Sequence, residues 1–169
     1  MAQPLAALPD GSDLLIDTNI FVYGLTGKSA QCRDLLEKCS TQQVTGMSLF
    51  EVLHEATHKF MIAEAAQKGL FTGQLEKGAK YLAKNPGQVK LLSDYWLNTQ
   101  RLRALNLLFL PMEQDIVARA QVERSTVGML TNDSIIVAAM REYGLSLIAT
   151  NDRQFDAVPG ITVFSPTDV

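Results

Sequence analysis

The chain has few of the residues that would mark it as secreted, membrane-bound or thiol-active. It contains two cysteines in 169 residues. Cys32 and Cys39 are seven positions apart within a stretch of helical spacing, so their Cα atoms lie about 10 Å apart along the axis. That exceeds the reach of a disulfide, about 7 Å. Cys-x-x-Cys and zinc-type spacings are absent, and two semi-buried thiols in a reducing cytoplasm are expected. No apolar run approaches the ~20 residues of a membrane span. Met1 to Pro9 carries no Lys or Arg and too short an apolar region for a secretion signal, which predicts a loose leader over residues 1–12. A net charge of −3 and a pI near 5.3 leave no overall excess of positive charge. Polyanion binding would have to rest on local basic surface, for which Lys77, Lys80, Lys84, Lys90, Arg101 and Arg103 are candidates, although most fit a solvated helix face. The glycine fingerprint of dinucleotide folds and the phosphate-binding P-loop are both missing.

What is present is enough apolar material for one real core: 47% of the chain is hydrophobic and 20% charged. Short apolar runs alternate with helical periodicity. Strands are predicted at Leu14–Ile16, Val44–Thr45, Leu107–Leu110, Leu147–Thr150 and Ile161–Phe164. Helices are predicted over Ala30–Cys39, from Leu49 to about Ala66, from Val89 to Leu105, over Asp115–Val127 and over Asn132–Tyr143. Gly69, Gly73, Gly78 and Asn85-Pro86-Gly87 punctuate the middle, so residues 69–103 are expected to be a helical insertion in a single domain of residues 13–169. Strands separated by helices require a mainly parallel sheet covered on both faces, a three-layer α/β/α sandwich.

Four acidic residues stand where segments change character. Asp17 ends Leu14-Leu15-Ile16, and Glu51 follows Ser48-Leu49-Phe50. Asp133 precedes Ile135-Ile136-Val137-Ala138-Ala139, and Asp152 ends Leu147-Ile148-Ala149-Thr150-Asn151. In an alternating strand–helix fold such junctions gather at the carboxyl edge of the sheet. Carboxylates collected there repel by roughly 3 kcal/mol per pair at ~5 Å and an effective dielectric near 20. A hard cation such as Mg²⁺ or Mn²⁺ relieves that cost, because both prefer oxygen ligands. Each residue also has an ordinary reading. Asp17 and Asp133 are good helix caps, Glu51 fits an exposed helical position, and Asp152 fits a turn. The weight lies in the four together, which point to metal-dependent chemistry on phosphate esters.

Leu15-Ile16-Asp17-Thr18-Asn19-Ile20 resembles the opening of PIN-domain ribonucleases. Ser48-Leu49-Phe50-Glu51-Val52-Leu53 is similar to their second acidic motif and Thr131 to Ala139 to the third. Ile148 to Phe155 is similar to the fourth, and Ile161 to Pro166 fits the closing strand. The resemblance spans about Asp13 to Pro166 and is greatest to the VapC-type toxins of bacterial toxin–antitoxin pairs, from which the longer middle departs. It implies a five-stranded PIN core and endonucleolytic cleavage of RNA. It also implies one or two Mg²⁺ or Mn²⁺ ions held by Asp17, Glu51, Asp133 and Asp152. Such ions acidify water and stabilise the leaving oxygen. Thr18, Asn19, Thr150 and Asn151 would orient the carboxylates and the phosphate. A cytoplasmic homodimer with a cognate antitoxin completes the expectation. Occupation of the acidic pocket in a stable complex would instead make the domain chiefly a partner-binding module.

One further motif competes. His54-Glu55-Ala56-Thr57-His58 matches the helical H-E-x-x-H of zinc proteases, in which two imidazoles one turn apart bind the metal. A catalytic zinc needs a third protein ligand. With two histidines in the chain, that ligand would be a carboxylate such as Glu64 or Glu76. A phosphatase of the haloacid dehalogenase type would need a second acid where Asn19 stands.

Overall fold

The computed structural model describes residues 1–169, apart from the side chains of Leu75 and Glu76. Its strands are β1 (Gln3–Pro4), β2 (Asp13–Ile16), β3 (Thr45–Leu49), β4 (Leu108–Leu110), β5 (Leu147–Ala149) and β6 (Thr162–Ser165). Its α-helices are α1 (Thr18–Leu25), α2 (Ala30–Ser40), α3 (Phe50–Gln67), α4 (Leu75–Lys84), α5 (Pro86–Val89), α6 (Asp94–Arg103), α7 (Gln114–Thr126) and α8 (Thr131–Glu142). The strands form one sheet in the order β1-β6-β5-β2-β3-β4, and every pairing is parallel. Helices flank the sheet, as the alternation of strand and helix requires.

Leu14, Leu15 and Ile16 of β2 are fully buried, as a central strand covered on both faces demands. From β2 the chain winds outward to β3 and β4. It then returns to the other side of β2 to lay down β5 and β6. The winding direction therefore reverses between β2 and β5, and a crevice opens there at the carboxyl ends of the strands. Small residues let the layers close. A Cβ on Gly24 would come within 2.8 Å of Leu36 Cδ1 and 3.2 Å of the α2 backbone, so glycine sets the approach of α1 to α2. Helix α8 ends at Gly144, whose φ of 67° is left-handed, while Leu145 N donates to Met140 O at 2.8 Å.

Three expectations are corrected. Residues 1–12 are not a loose leader. Gln3 and Pro4 pair with Phe164 and Ser165, and Leu5 and Leu8 are buried in the main core, so the sheet has six strands rather than five. Strand β3 runs on to Leu49, through Gly46, because a side chain there would meet Leu107, Cys39 and Ile16 within 3.0 Å. The single helix expected over Val89–Leu105 is broken into α5 and α6. The break is organised by Glu64 of α3, which is buried and accepts from Ser93 N at 2.8 Å, Tyr95 N at 2.9 Å and Lys68 Nζ at 2.6 Å. Burial alone would raise its pKa, but Lys68 and the backbone N–H groups at the start of α6 outweigh it and hold the carboxyl down to about 2. Helices α4 to α6 occupy the expected insertion and pack on the end of α3 through a small second cluster around Ala65, Leu82 and Leu92.

Candidate active site

Asp17 follows β2 directly and is the N-cap of α1. Its Oδ1 accepts from Thr18 N at 2.6 Å, and its Oδ2 accepts from Thr150 Oγ1 at 2.6 Å and from the Asn19 amide. The cap role and the site role are thus compatible: one oxygen serves the helix, and the other is oriented from across the crevice. Asn19 Nδ2 also donates to Thr150 Oγ1 at 3.1 Å, while Asn19 Oδ1 accepts from Asn151 N at 2.8 Å. Thr150 is itself fixed, since its carbonyl accepts from Ser165 Oγ at 2.6 Å and its hydroxyl from Asp152 N at 3.0 Å. Four side chains expected around the metal site therefore contribute unevenly. Thr150 and Asn19 orient Asp17, Asn151 acts through its backbone, and Thr18 Oγ1 is buried with no hydrogen-bond partner among the described residues.

Asp133 lies in the first turn of α8, but it does not cap that helix. The N-cap position is Leu130, and no side chain closes it. The Asp133 carboxyl is pushed up to about 6, first by burial and then by the negative charges of Asp152, Asp17 and Glu55, with Lys59 opposing them. Asp17 is also raised, chiefly by burial, against the hydrogen bonds from Thr150 and Thr18 and the charge of Lys59. Charges on α3 thus weigh on the ionisation of both Asp17 and Asp133, and Asp152 at the end of β5 weighs on that of Asp133.

Glu51 stands exposed in the first turn of α3. The glutamate whose charge weighs on both Asp17 and Asp133 is Glu55, one turn further on and half-buried. An i, i+4 pair shares a helix face, so spacing alone does not choose between the two. Asp152 is half-buried at the crevice and caps a 3₁₀ turn over Arg153–Ala157 by accepting from Gln154 N at 2.8 Å. Phe155 is fully buried, and Asp156 beyond it turns toward Arg153 at 3.7 Å and the N-terminal amine at 3.9 Å.

The donor set is all oxygen, which suits Mg²⁺ or Mn²⁺ rather than a soft metal. Among the described residues no three His, Cys, Asp or Glu side chains are drawn together as a complete chelate. The arrangement suits an ion held by one or two carboxylates, with water and substrate phosphate supplying the rest, as is usual for Mg²⁺. His54 and His58 are both exposed on α3. Glu64 is committed to the start of α6, and the Glu76 side chain lies outside the described ones.

A parallel α/β sheet with a hydrogen-bonded acidic crevice at its switch point defines the class of the molecule. The chain belongs to the PIN-domain family, whose model matches residues 14–161. PIN domains are in general nucleases that use divalent metal ions. Among solved structures, the chain is similar to a chain of VapBC2 from Rickettsia felis, a complex bound to a DNA fragment from their promoter. That likeness has a TM-score of 0.54 at 15% identity and covers 90% of this chain and 98% of the other, which establishes the shared fold. No curated protein matches the chain.

Proposed function

We propose that this PIN domain is a Mg²⁺- or Mn²⁺-dependent endoribonuclease and the toxin of a toxin–antitoxin pair. The observation that carries the nuclease reading is the Asp133 carboxyl. It is held up near 6 by burial and by Asp152, Asp17 and Glu55, although it has no helix to cap. Carboxyls that disfavour their own ionisation around a polar crevice gain most from a bound cation.

Asp17, Asp133 and Asp152, with a glutamate of α3 for which Glu55 is better placed than Glu51, would hold one or two ions, each on one or two of these carboxylates. When bound, the ion supplies acidified water and charge neutralisation at the phosphate. The protein does the rest. Thr150 and Asn19 hold Asp17 Oδ2 in one orientation, so the carboxylate need not reorganise when substrate arrives. Thr18 and Asn151 flank the same point. Hydrolysis adds water across a phosphodiester P–O bond, and the leaving oxygen takes up a proton.

The VapBC2 likeness covers nearly all of that chain, which supports a VapC-type role with a cognate antitoxin; a homodimeric assembly and a cytoplasmic setting belong to the same proposal. Among the described residues no helix is long and apolar enough to cross a membrane. The decisive assay incubates purified protein with single-stranded and structured RNA in Mg²⁺, Mn²⁺, Zn²⁺ or EDTA. RNA cleavage is expected with Mg²⁺ or Mn²⁺. It should be lost in Asp17→Asn and retained in the His54→Ala/His58→Ala double variant. Zinc-dependent casein hydrolysis without RNA cleavage would refute the nuclease in favour of a protease.

A further inference from the structure

Lys59 lies one turn beyond Glu55 on α3, with its Nζ 2.8 Å from Glu55 Oε1. An i, i+4 pair of this kind on an open helix face contributes a few tenths of a kcal/mol and requires no further purpose. The position of this one is different. Lys59 and Glu55 line a groove of about 540 Å³ together with Asn19, the residue whose amide donates to both Asp17 and Thr150. The groove therefore begins at the acidic crevice. Its wall also includes Val22, Tyr23 and Ile62, and Lys80 stands among its lining residues.

A nucleotide strand presents an anionic phosphate joined to a flat apolar base. Single-strand binding sites commonly combine cations along the backbone path with an apolar or aromatic platform for the base. The groove offers both: the Lys59 ammonium is held beside Glu55, and Val22, Tyr23 and Ile62 give the same groove apolar wall. We propose that Lys59 is a phosphate-binding residue of the active site. It contacts a non-bridging oxygen of the scissile phosphate of single-stranded RNA, while the flanking base lies against the groove wall. In the free protein Glu55 holds the ammonium at the crevice. The ammonium has three N–H donors, so it can bind a phosphate entering the groove while still paired with Glu55, and a cation that drew Glu55 away would leave it wholly to the phosphate. No bond is made or broken at Lys59, and its contribution is charge and placement. This inference rests on the ribonuclease reading above.

The test compares wild type with Lys59→Gln, Lys59→Arg and Glu55→Gln, each confirmed as folded by circular dichroism. Binding of a labelled single-stranded oligoribonucleotide is measured in EDTA over a range of NaCl, and single-turnover cleavage is measured in Mn²⁺. Losing one phosphate contact lowers the slope of log K against log salt by about 0.7 for a single strand. Lys59→Gln should show that drop and a cleavage rate lower by about 10-fold or more. Lys59→Arg should restore the slope, and Glu55→Gln should tighten metal-free binding by freeing the ammonium. If wild type cleaves RNA while Lys59→Gln keeps both slope and rate, the assignment of Lys59 is wrong and the nuclease stands. A slope that Arg does not restore would also overturn it, because packing rather than charge would then be at work. Tight seating of a peptide in the groove, with no effect of Lys59 on RNA, would give the groove to a protein partner. If wild type neither binds nor cleaves RNA, the nuclease reading falls together with this one.

Discussion

Neutralising Asp133 should make the metal-free protein more stable and the enzyme inactive, a combination that an ordinary surface aspartate would not produce. The Asp133 carboxyl has a folded pKa of about 6 against 3.8 for the unperturbed group. Because the folded value is raised, ionisation favours the unfolded chain. The stabilising contribution is complete below the unfolded value, falls as pH rises between about 4 and 6, and is absent above that window. The gap of 2.2 units, from 6 − 3.8, corresponds to about 3 kcal/mol at 1.36 kcal/mol per unit. Asp133 is only half-buried, and solvent screening reduces the figure to about 1–2 kcal/mol. Asp133→Asn removes the titration. In EDTA at pH 7.5 it should melt about 2–8 °C above wild type, given roughly 2–4 °C per kcal/mol for a domain of this size. The two proteins should converge near pH 4, and saturating Mg²⁺ should narrow the gap at pH 7.5 by stabilising wild type alone. Thermal unfolding from pH 4 to pH 8, with and without Mg²⁺, reads all three effects. A variant no more stable than wild type at pH 7.5 in EDTA, or a gap that does not change with pH, would refute the reasoning.

Two further outcomes separate neighbouring carboxylates. Asp152→Asn should lower Mn²⁺-dependent RNA cleavage by about 10–100-fold or more. Asp156→Asn should leave cleavage near wild type, because Asp156 faces Arg153 and the N-terminus; the opposite ranking at matched folded content would show that the 3₁₀ turn presents the other acid. On α3, Glu55→Gln should cost more activity than Glu51→Gln, and a Mn²⁺ titration should show the larger loss of metal affinity in the Glu55 variant. An inactive Glu51→Gln beside an active Glu55→Gln would return the second acidic position to Glu51.

Much of this molecule is written locally. The apolar run ending at Asp17, the helical period after Leu49 and the Thr150-Asn151-Asp152 strand end are short-range patterns. They carry the strand–helix alternation, and with it a parallel sheet whose carboxyl edge collects acids. Phe155 is fully buried, and Asp156 beyond it turns to Arg153 and the N-terminal amine. Three features depend on contacts between distant residues. Gln3 and Pro4 form a strand only because Phe164 and Ser165 present a free edge, and two residues carry no periodicity of their own. Helix α6 starts where it does because a carboxylate from α3, 29 residues earlier, accepts the Ser93 amide. The standing of Glu51 against Glu55 depends on how α3 is placed against α1, since residues four apart share a helix face and spacing cannot rank them. The sequence determined which chemistry was available and at which edge of the sheet. Only packing places the Glu55 charge where it weighs on Asp17 and Asp133, because that depends on the placement of a whole helix rather than on any local pattern.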